Sequence, residues 1–369
     1  MLDGKVVTAL TTGRYHSLAR CADGSLAAWG QNDNGQLGDG GSAESRVPVW
    51  VDLEGELLGR RVIKVVAGDS HTLALCADGT LAAWGRNDRG QLGKGTTSSS
   101  GLLPELVDRS GVLAGKTIID IAGGTSHSVA LCADGTLATW GDNSDGQLGG
   151  YSGDYSRFPT MVDQTGVLSG KEVIAVSAGS SHNLVLCSDG TLATWGDNNR
   201  GKLGNGETLN RSRPVLVDRS DVLAGKTVVS IAAGFDHNLV LCADGTLAAW
   251  GDNSSSELGN GGVSSYKLLP VLVKQDGVLA GKTITSLQAG VGCSLVTCAD
   301  GTMVTWGGNS FGSLGDGTNT QRPSPVLVDL EALRTGEAPM QVAFSSHALR
   351  RRWRSDASVS MRASRSRLT

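Results

Sequence analysis

Aromatic residues are scarce in this chain: Phe, Tyr and Trp make up 4% of 369 residues, and Trp supplies 8 of those 16. Charged residues reach only 18%, prolines number 8, and the net charge is −4. So slight an acidic balance argues against a nucleic-acid coat protein. With 39% apolar content beside that low charge, a disordered chain is excluded as well. There is no run of about 18 apolar residues to span a bilayer as a helix. The start, Met1-Leu2-Asp3-Gly4-Lys5, has neither the basic segment nor the apolar core of a secretory signal, so a soluble, cytoplasmic chain is expected. Glycine, by contrast, is plentiful at 53 residues, about twice the usual ~7%. It does not recur at every third position, which excludes collagen. A folded, turn-rich protein remains, and length alone allows roughly two to three domains.

Aligning the chain with itself accounts for both biases. Six tryptophans, each followed by glycine, stand at Trp29, Trp84, Trp140, Trp195, Trp250 and Trp306, with gaps of 55, 56, 55, 55 and 56 residues. A period of this size signals a repeat architecture. Unit 4 is the clearest. Val173 to Ala178 alternates apolar and small residues, His182 to Cys187 reads as a second strand, and Asp189-Gly190 is the dipeptide of a two-residue type I′ hairpin. Leu192 to Trp195 forms a third strand, and a fourth follows Pro214. No segment holds a helical period over ten residues. A four-stranded unit leaves apolar faces that a neighbour must cover, and radial stacking does so with little exposed edge. The expected fold is all-β: a β-propeller of about seven four-stranded blades, six complete and the seventh degenerate or truncated. The repeats fall near 2–55, 56–111, 112–166, 167–221, 222–277 and 278–333, with a partial seventh at 334–349. Each Trp buries about 200 Å², worth ~5 kcal/mol before entropy, and so serves as a wedge between blades.

The string Trp-Gly-x-Asn-x-x-Gly-x-Leu-Gly, preceded by Cys-x-Asp-Gly-Thr-Leu, resembles the regulator of chromosome condensation repeat family, including its alpha-tubulin suppressor-like members. The likeness covers residues 1 to about 349. It implies a β-propeller, usually seven-bladed, and protein binding as the shared function. Members of that family include a guanine nucleotide exchange factor for a small nuclear GTPase, a plant ultraviolet photoreceptor, substrate-binding parts of ubiquitin ligases and secreted bacterial β-lactamase inhibitors.

Residues that recur in every unit belong to the scaffold. His16, His71, His127, His182 and His237 each precede their Trp by thirteen residues, with Cys293 in the sixth unit. A catalytic base is needed once, and equivalent positions on different blades are too far apart to share a metal, so these rings are expected to bond backbone at the strand entrance. Cys21, Cys76, Cys132, Cys187, Cys242 and Cys298 likewise occur once per unit and read as small buried apolar groups. Gly115-Lys116-Thr117 resembles the end of a phosphate-binding loop. However, Gly111 is one residue too near and a strand follows instead of a helix, so a turn between blades is expected. Asp142-Asn143-Ser144-Asp145-Gly146 has the look of a calcium loop without its later bidentate acid. Asn turns bonded to their own backbone fit better. No catalytic residue, cofactor or metal is expected.

All variation in period traces to one loop, between the Leu-Gly corner and the proline of the fourth strand. Its length is 9, 10, 9, 9 and 10 residues in units 1 to 5. Unit 3 carries Tyr151, Asp154, Tyr155, Arg157 and Phe158 there, unit 4 carries Glu207, Arg211 and Arg213, and unit 5 carries Tyr266 and Lys267. Exposed aromatics and arginines are typical binding anchors. Packing on the neighbouring loop is the competing reading. The expected function is a non-enzymatic protein-binding scaffold with a protein partner. The alternatives are guanine nucleotide exchange on a small GTPase, although no unit carries an insertion that could serve as a wedge, and a secreted enzyme inhibitor. Light sensing is disfavoured because six tryptophans occupy the repeat position and Gly-Trp-Arg-His-Thr is absent.

The seventh unit follows the template from Gln341 to Leu349, with Phe344 in place of glycine, and then gives way to Arg350-Arg351-Arg352-Trp353-Arg354. Residues 350–369 carry +6, which leaves −10 for the body. The body is not expected to bind nucleic acid. The tail reads either as a basic, disordered extension or as the product of a shifted reading frame. If the tail is native, the ring is open or six-bladed.

Overall fold

Alternation of apolar and small residues, interrupted by glycine-bearing turns, yields strands throughout. The computed structural model describes residues 2–98, 100–262 and 264–330; the partial seventh unit, Trp353 and the basic tail lie outside the described residues. Among the described residues twenty-four strands form six separate antiparallel sheets of four, each a simple meander. Blade 1 comprises Val7–Thr12, His16–Cys21, Leu26–Gly30 and Ser45–Trp50. Blade 4 comprises Val173–Ala178, His182–Cys187, Leu192–Gly196 and Arg211–Leu216. The single helical element among the described residues is a 3-10 turn at Asn199–Gly201. Among the described residues no helix is long and apolar enough to cross a membrane.

The sheets are arranged as the blades of a propeller. First strands of successive blades touch from blade 1 through blade 6, so they form the inner wall. Among the described residues no strand of blade 1 comes within 8 Å, Cα to Cα, of a strand of blade 6.

The core sits between blades rather than within them. Five apolar clusters each join two consecutive blades, and each contains the tryptophan of the later blade: Trp84, Trp140, Trp195, Trp250 and Trp306, all with no exposed surface. Each indole Nε1 donates to a carbonyl of the preceding blade: Gln36, Gln91, Gln147, Lys202 and Glu257 respectively, at 2.8–3.0 Å. The Leu-Gly corner must be glycine for two reasons. Gly204 has φ +63, and a Cβ there would lie 2.7 Å from Trp250 Nε1. Trp29 belongs to none of the five clusters and is only half-buried.

The hairpin between the second and third strands differs from the expected two-residue turn. Gly190 N–H donates to Cys187 O at 2.9 Å, and Gly190 alone of the turn has positive φ, which makes a three-residue loop. Type I′ needs positive φ at both central residues. Asp189 avoids that cost by keeping an ordinary φ, and its carboxylate accepts the Thr191 N–H.

Candidate protein-binding face

Meander topology sorts the connections onto two ends of the propeller. Turns from first to second strands and loops from third to fourth strands share one end, here the loop face. Hairpins from second to third strands and connections to the next blade share the other, the hairpin face.

The hairpin face repeats the same device in all six blades. A basic residue entering the blade reaches the hairpin aspartate eighteen residues on: Lys5 to Asp23, Arg60 to Asp78, Lys116 to Asp134, Lys171 to Asp189, Lys226 to Asp244 and Lys282 to Asp300. The Gly115-Lys116-Thr117 segment is thus spent on a stitch, with Lys116 Nζ 2.5 Å from Asp134. Hydrogen bonds from Lys116 and Thr136 hold the Asp134 carboxyl at about 2.

The loop face combines invariant joints with variable side chains. Each histidine lies at a blade junction, with its Nε2 2.8–3.0 Å from Thr72, Ser128, Asn183, Asn238 or Ser294 on the next blade. Those five side chains in turn donate to the carbonyls that receive the tryptophan Nε1. The direct partner is therefore a side chain of the next blade, and the backbone is reached through it. Burial holds the five rings at about 4, with His71 near 3, so they are neutral donors near pH 7. The six repeat cysteines and Cys293 are buried free thiols. Burial pushes Cys76 and Cys187 up to about 11.

Two sets of variable positions on this face escape a reading based on loop length. The first surrounds the central opening, a cavity of 140 Å³ rimmed by glycines, where Arg14, Asp69, Thr125, Ser180, Phe235 and Val291 occupy equivalent places. Arg14 lies over the Tyr15 ring at 5.1 Å and over Phe235, four blades on, at 5.3 Å. The second set replaces Gln36, Gln91 and Gln147 with Lys202 in blade 4 and Glu257 in blade 5. Lys202, with 6% of its side chain exposed, sits 2.5 Å from both Asp197 and Asp236. Burial alone would lower its pKa, but the Asp236 and Asp197 carboxylates outweigh burial and raise it. Ser180 adds a hydrogen bond to Asp236 at 3.2 Å. Beside this pair, Arg200 of blade 4 reaches Asp252 of blade 5 at 2.6 Å. The signal for both sets was in the sequence: identities that change at fixed positions between the repeated Gly and His, or between the repeated Gly and Leu.

The residues singled out by loop variation lie in the third-to-fourth-strand loops and the fourth strands of blades 3, 4 and 5. Tyr151, Asp154, Tyr155 and Arg157 are exposed, and Tyr155 opens the fourth strand of blade 3 opposite Asp142. Phe158 is also exposed, but its ring packs on blade 2, because a Cβ at Gly95 would lie 2.7 Å from it. Arg211 is tied to Glu207 within its own loop, and Arg213 to Asp163 of blade 3 at 3.1 Å. Tyr266 is exposed and Lys267 half-buried at the start of the outer strand of blade 5. Asn143 serves the turn itself, accepting the Leu148 N–H and donating to the Tyr151 and Gly153 carbonyls.

Comparison with known proteins agrees with this geometry. The family model described as RCC1-like domain matches residues 1–348. The ultraviolet-B receptor UVR8 of Arabidopsis thaliana is 30% identical over 323 residues, covering 87% of this chain and 70% of that protein. A protein RCC2 homolog of Danio rerio is 30% identical over 356 residues, covering 90% and 68%. The E3 ubiquitin-protein ligase HERC2 of Homo sapiens is 31% identical over 92% of this chain, which spans only 7% of that much longer protein. Among solved structures, human WBSCR16 superposes with TM-score 0.77 at 24% identity, covering 88% of this chain and 83% of that one. Yeast RCC1 (Prp20) superposes with TM-score 0.74 at 23% identity, covering 88% and 75%. These two likenesses speak to the fold alone.

Proposed function

Since the chain belongs to the family of RCC1-like domains, we propose that it is a non-enzymatic scaffold that captures a protein partner on the loop face of its propeller. The observation that carries this reading is the contrast between ends: the hairpin face repeats one ion-pair stitch six times, whereas the loop face changes side chains from blade to blade over a constant frame. Tyr155 and Arg157 are the favoured anchors, because both are exposed; the Arg157 backbone is fixed on blade 2, its carbonyl accepting the Gly95 N–H at 3.0 Å. Tyr151, Asp154, Tyr266 and Lys267 extend the contact, while Arg211 and Arg213 contribute less because Glu207 and Asp163 already hold them. UVR8 and the RCC2 homolog, matched over most of this chain, are consistent with a propeller whose function lies in binding.

The test compares affinity capture by the full chain with capture by the double variant Tyr155→Ala/Arg157→Ala. Loss of the captured protein with a stability change within about 0.5 kcal/mol supports the patch, and unchanged capture removes it. Guanine nucleotide exchange on a small GTPase is the alternative. Loop length differs by a single residue among units 1 to 5, so no wedge projects there. Stimulated nucleotide release from a panel of small GTPases would replace the scaffold reading.

A further inference from the structure

One corner of the loop face departs from the repeat at three adjoining places. Blade 5 has Ser256 where other blades have glycine, and Ser256 is one of only two non-glycine residues with positive φ, at 64°, among the described residues. Glu257 follows where blades 1 to 3 have glutamine. Across the junction, Cys293 of blade 6 replaces the repeated histidine and is 3% exposed. Backbone strain outside glycine marks a place where structure has been bent to some use.

The glutamines show what this position requires. Each side-chain oxygen accepts a backbone N–H two residues earlier, from Asn34, Arg89 or Asp145, at 2.9 Å. In blades 2 and 3 the amide then donates to an aspartate, Gln91 to Asp88 and Gln147 to Asp142, the latter at 2.7 Å. Glu257 keeps the first contact, accepting the Ser255 N–H at 2.7 Å. Asp252 is the blade 5 counterpart of Asp142. A carboxyl group can reproduce the second contact only as a neutral acid that donates; as a carboxylate it adds a charge beside Asp252 in a site only 2% exposed. The Glu257 carbonyl also receives the two bonds that dock blade 6, from Trp306 Nε1 and Ser294 Oγ, both at 2.8 Å.

We propose that the Ser255–Glu257 corner is a proton-controlled latch between blades 5 and 6: a neutral Glu257 side chain closes it as glutamine does in blades 2 and 3, and a carboxylate there loosens the docking of blade 6. The groups facing Glu257 favour the neutral form. Asp252 lies on the third strand of blade 5, Asp236 on the turn before its second strand, and the buried Cys293 thiol across the junction, with Arg200 of blade 4 the compensating cation. Burial, assisted by Asp252 and Asp236, pushes Glu257 up to about 7 against two opposing backbone hydrogen bonds. The direction follows. Folded protein holds the Glu257 proton more tightly than unfolded chain, so this contribution is complete below pH 4.5 and is lost as pH rises through about 7.

The experiment is hydrogen exchange by mass spectrometry on the full chain at pH 6 and pH 8.5, corrected for intrinsic rates. It compares the second strand of blade 6, Cys293–Cys298, with the equivalent His127–Cys132 of blade 3. The latch predicts that protection of the blade 6 strand relative to blade 3 falls about ten-fold at pH 8.5. In Glu257→Gln, which installs the residue native to blades 1 to 3, that fall of about ten-fold should be absent, leaving only the smaller shift that protonation of His127 in the opened reference strand contributes at pH 6. A ratio independent of pH in the parent chain, or an equal fall in the variant, would overturn the proposal.

Discussion

The hairpin face and the loop face both join oppositely charged side chains, yet they do so in different surroundings. On the hairpin face Lys116 and Asp134 are 25% and 50% exposed, and the same half-wet pair recurs in every blade. On the loop face Lys202 is 6% exposed and bridges two aspartates from consecutive blades. The first arrangement ties a hairpin to the entry of its own blade; the second joins one blade to the next. The ion pairs of the hairpin face repeat in every blade, whereas those of the loop face differ from one blade junction to the next.

Acid should separate the faces most widely. The five loop-face histidines are held at about 4 or lower by burial, so an unfolded chain takes up protons near pH 6.5 that the folded chain refuses. Their contribution is complete above pH 6.5 and is lost as pH falls towards 4, each ring adding a slope of up to about 1.4 kcal/mol per pH unit. The hairpin aspartates are held below their ordinary range by the stitching cation and the turn N–H, so their contribution persists until pH drops below about 3.8. Urea midpoints measured from pH 7 to pH 3 should therefore fall steeply between 6.5 and 4. A flat profile there, followed by collapse near 3, would mean that the histidines are not buried junctions.

Much of this contrast can be read in the sequence, and the rest shows where reading residue by residue stops. The tryptophan, glycine and cysteine positions are scaffold because they recur; the six repeat cysteines and every repeat tryptophan but Trp29 are buried. The histidine partner is harder to foresee: Thr72 and Asn183 stand one period plus one residue beyond His16 and His127, a relation that acquires meaning only once blades sit side by side. Arg211 and Arg213 stand out as exposed cations, but their acids, Glu207 and Asp163, become partners only through the loop and the neighbouring strand. Lys202 looks like a single deviation from glutamine. What makes it a buried bridge is Asp236, 34 residues away on the next blade.

The second break in the comparison is Lys202→Ala. Removing this cation leaves Asp197 and Asp236 facing each other with little water, and loss of one partner from a buried ion pair costs about 3 kcal/mol. Chemical denaturation should register that loss at neutral pH. Lys202→Gln should recover part of it, because the amide can still donate to Asp197 as Gln147 does to Asp142. Equal stability for parent and alanine variant would indicate that water already screens the site.

The smallest expected effect comes from the same chemistry on the opposite face. Lys116→Ala removes a 2.5 Å ion pair that looks as good on distance alone as either contact of Lys202. Half the Asp134 side chain is in water, however, and once the ammonium is gone it regains solvent while keeping the Thr136 N–H at 3.0 Å. An exposed pair of this kind contributes at most about 1 kcal/mol and is screened by salt. The variant should therefore unfold within about 1 kcal/mol of the parent at low ionic strength and indistinguishably from it in 0.5 M salt, whereas the Lys202→Ala deficit should persist at both salt concentrations. A loss at Lys116 as large as that at Lys202 would show that the six stitches act as one network, and the hairpin face could no longer be treated as the passive end of the propeller.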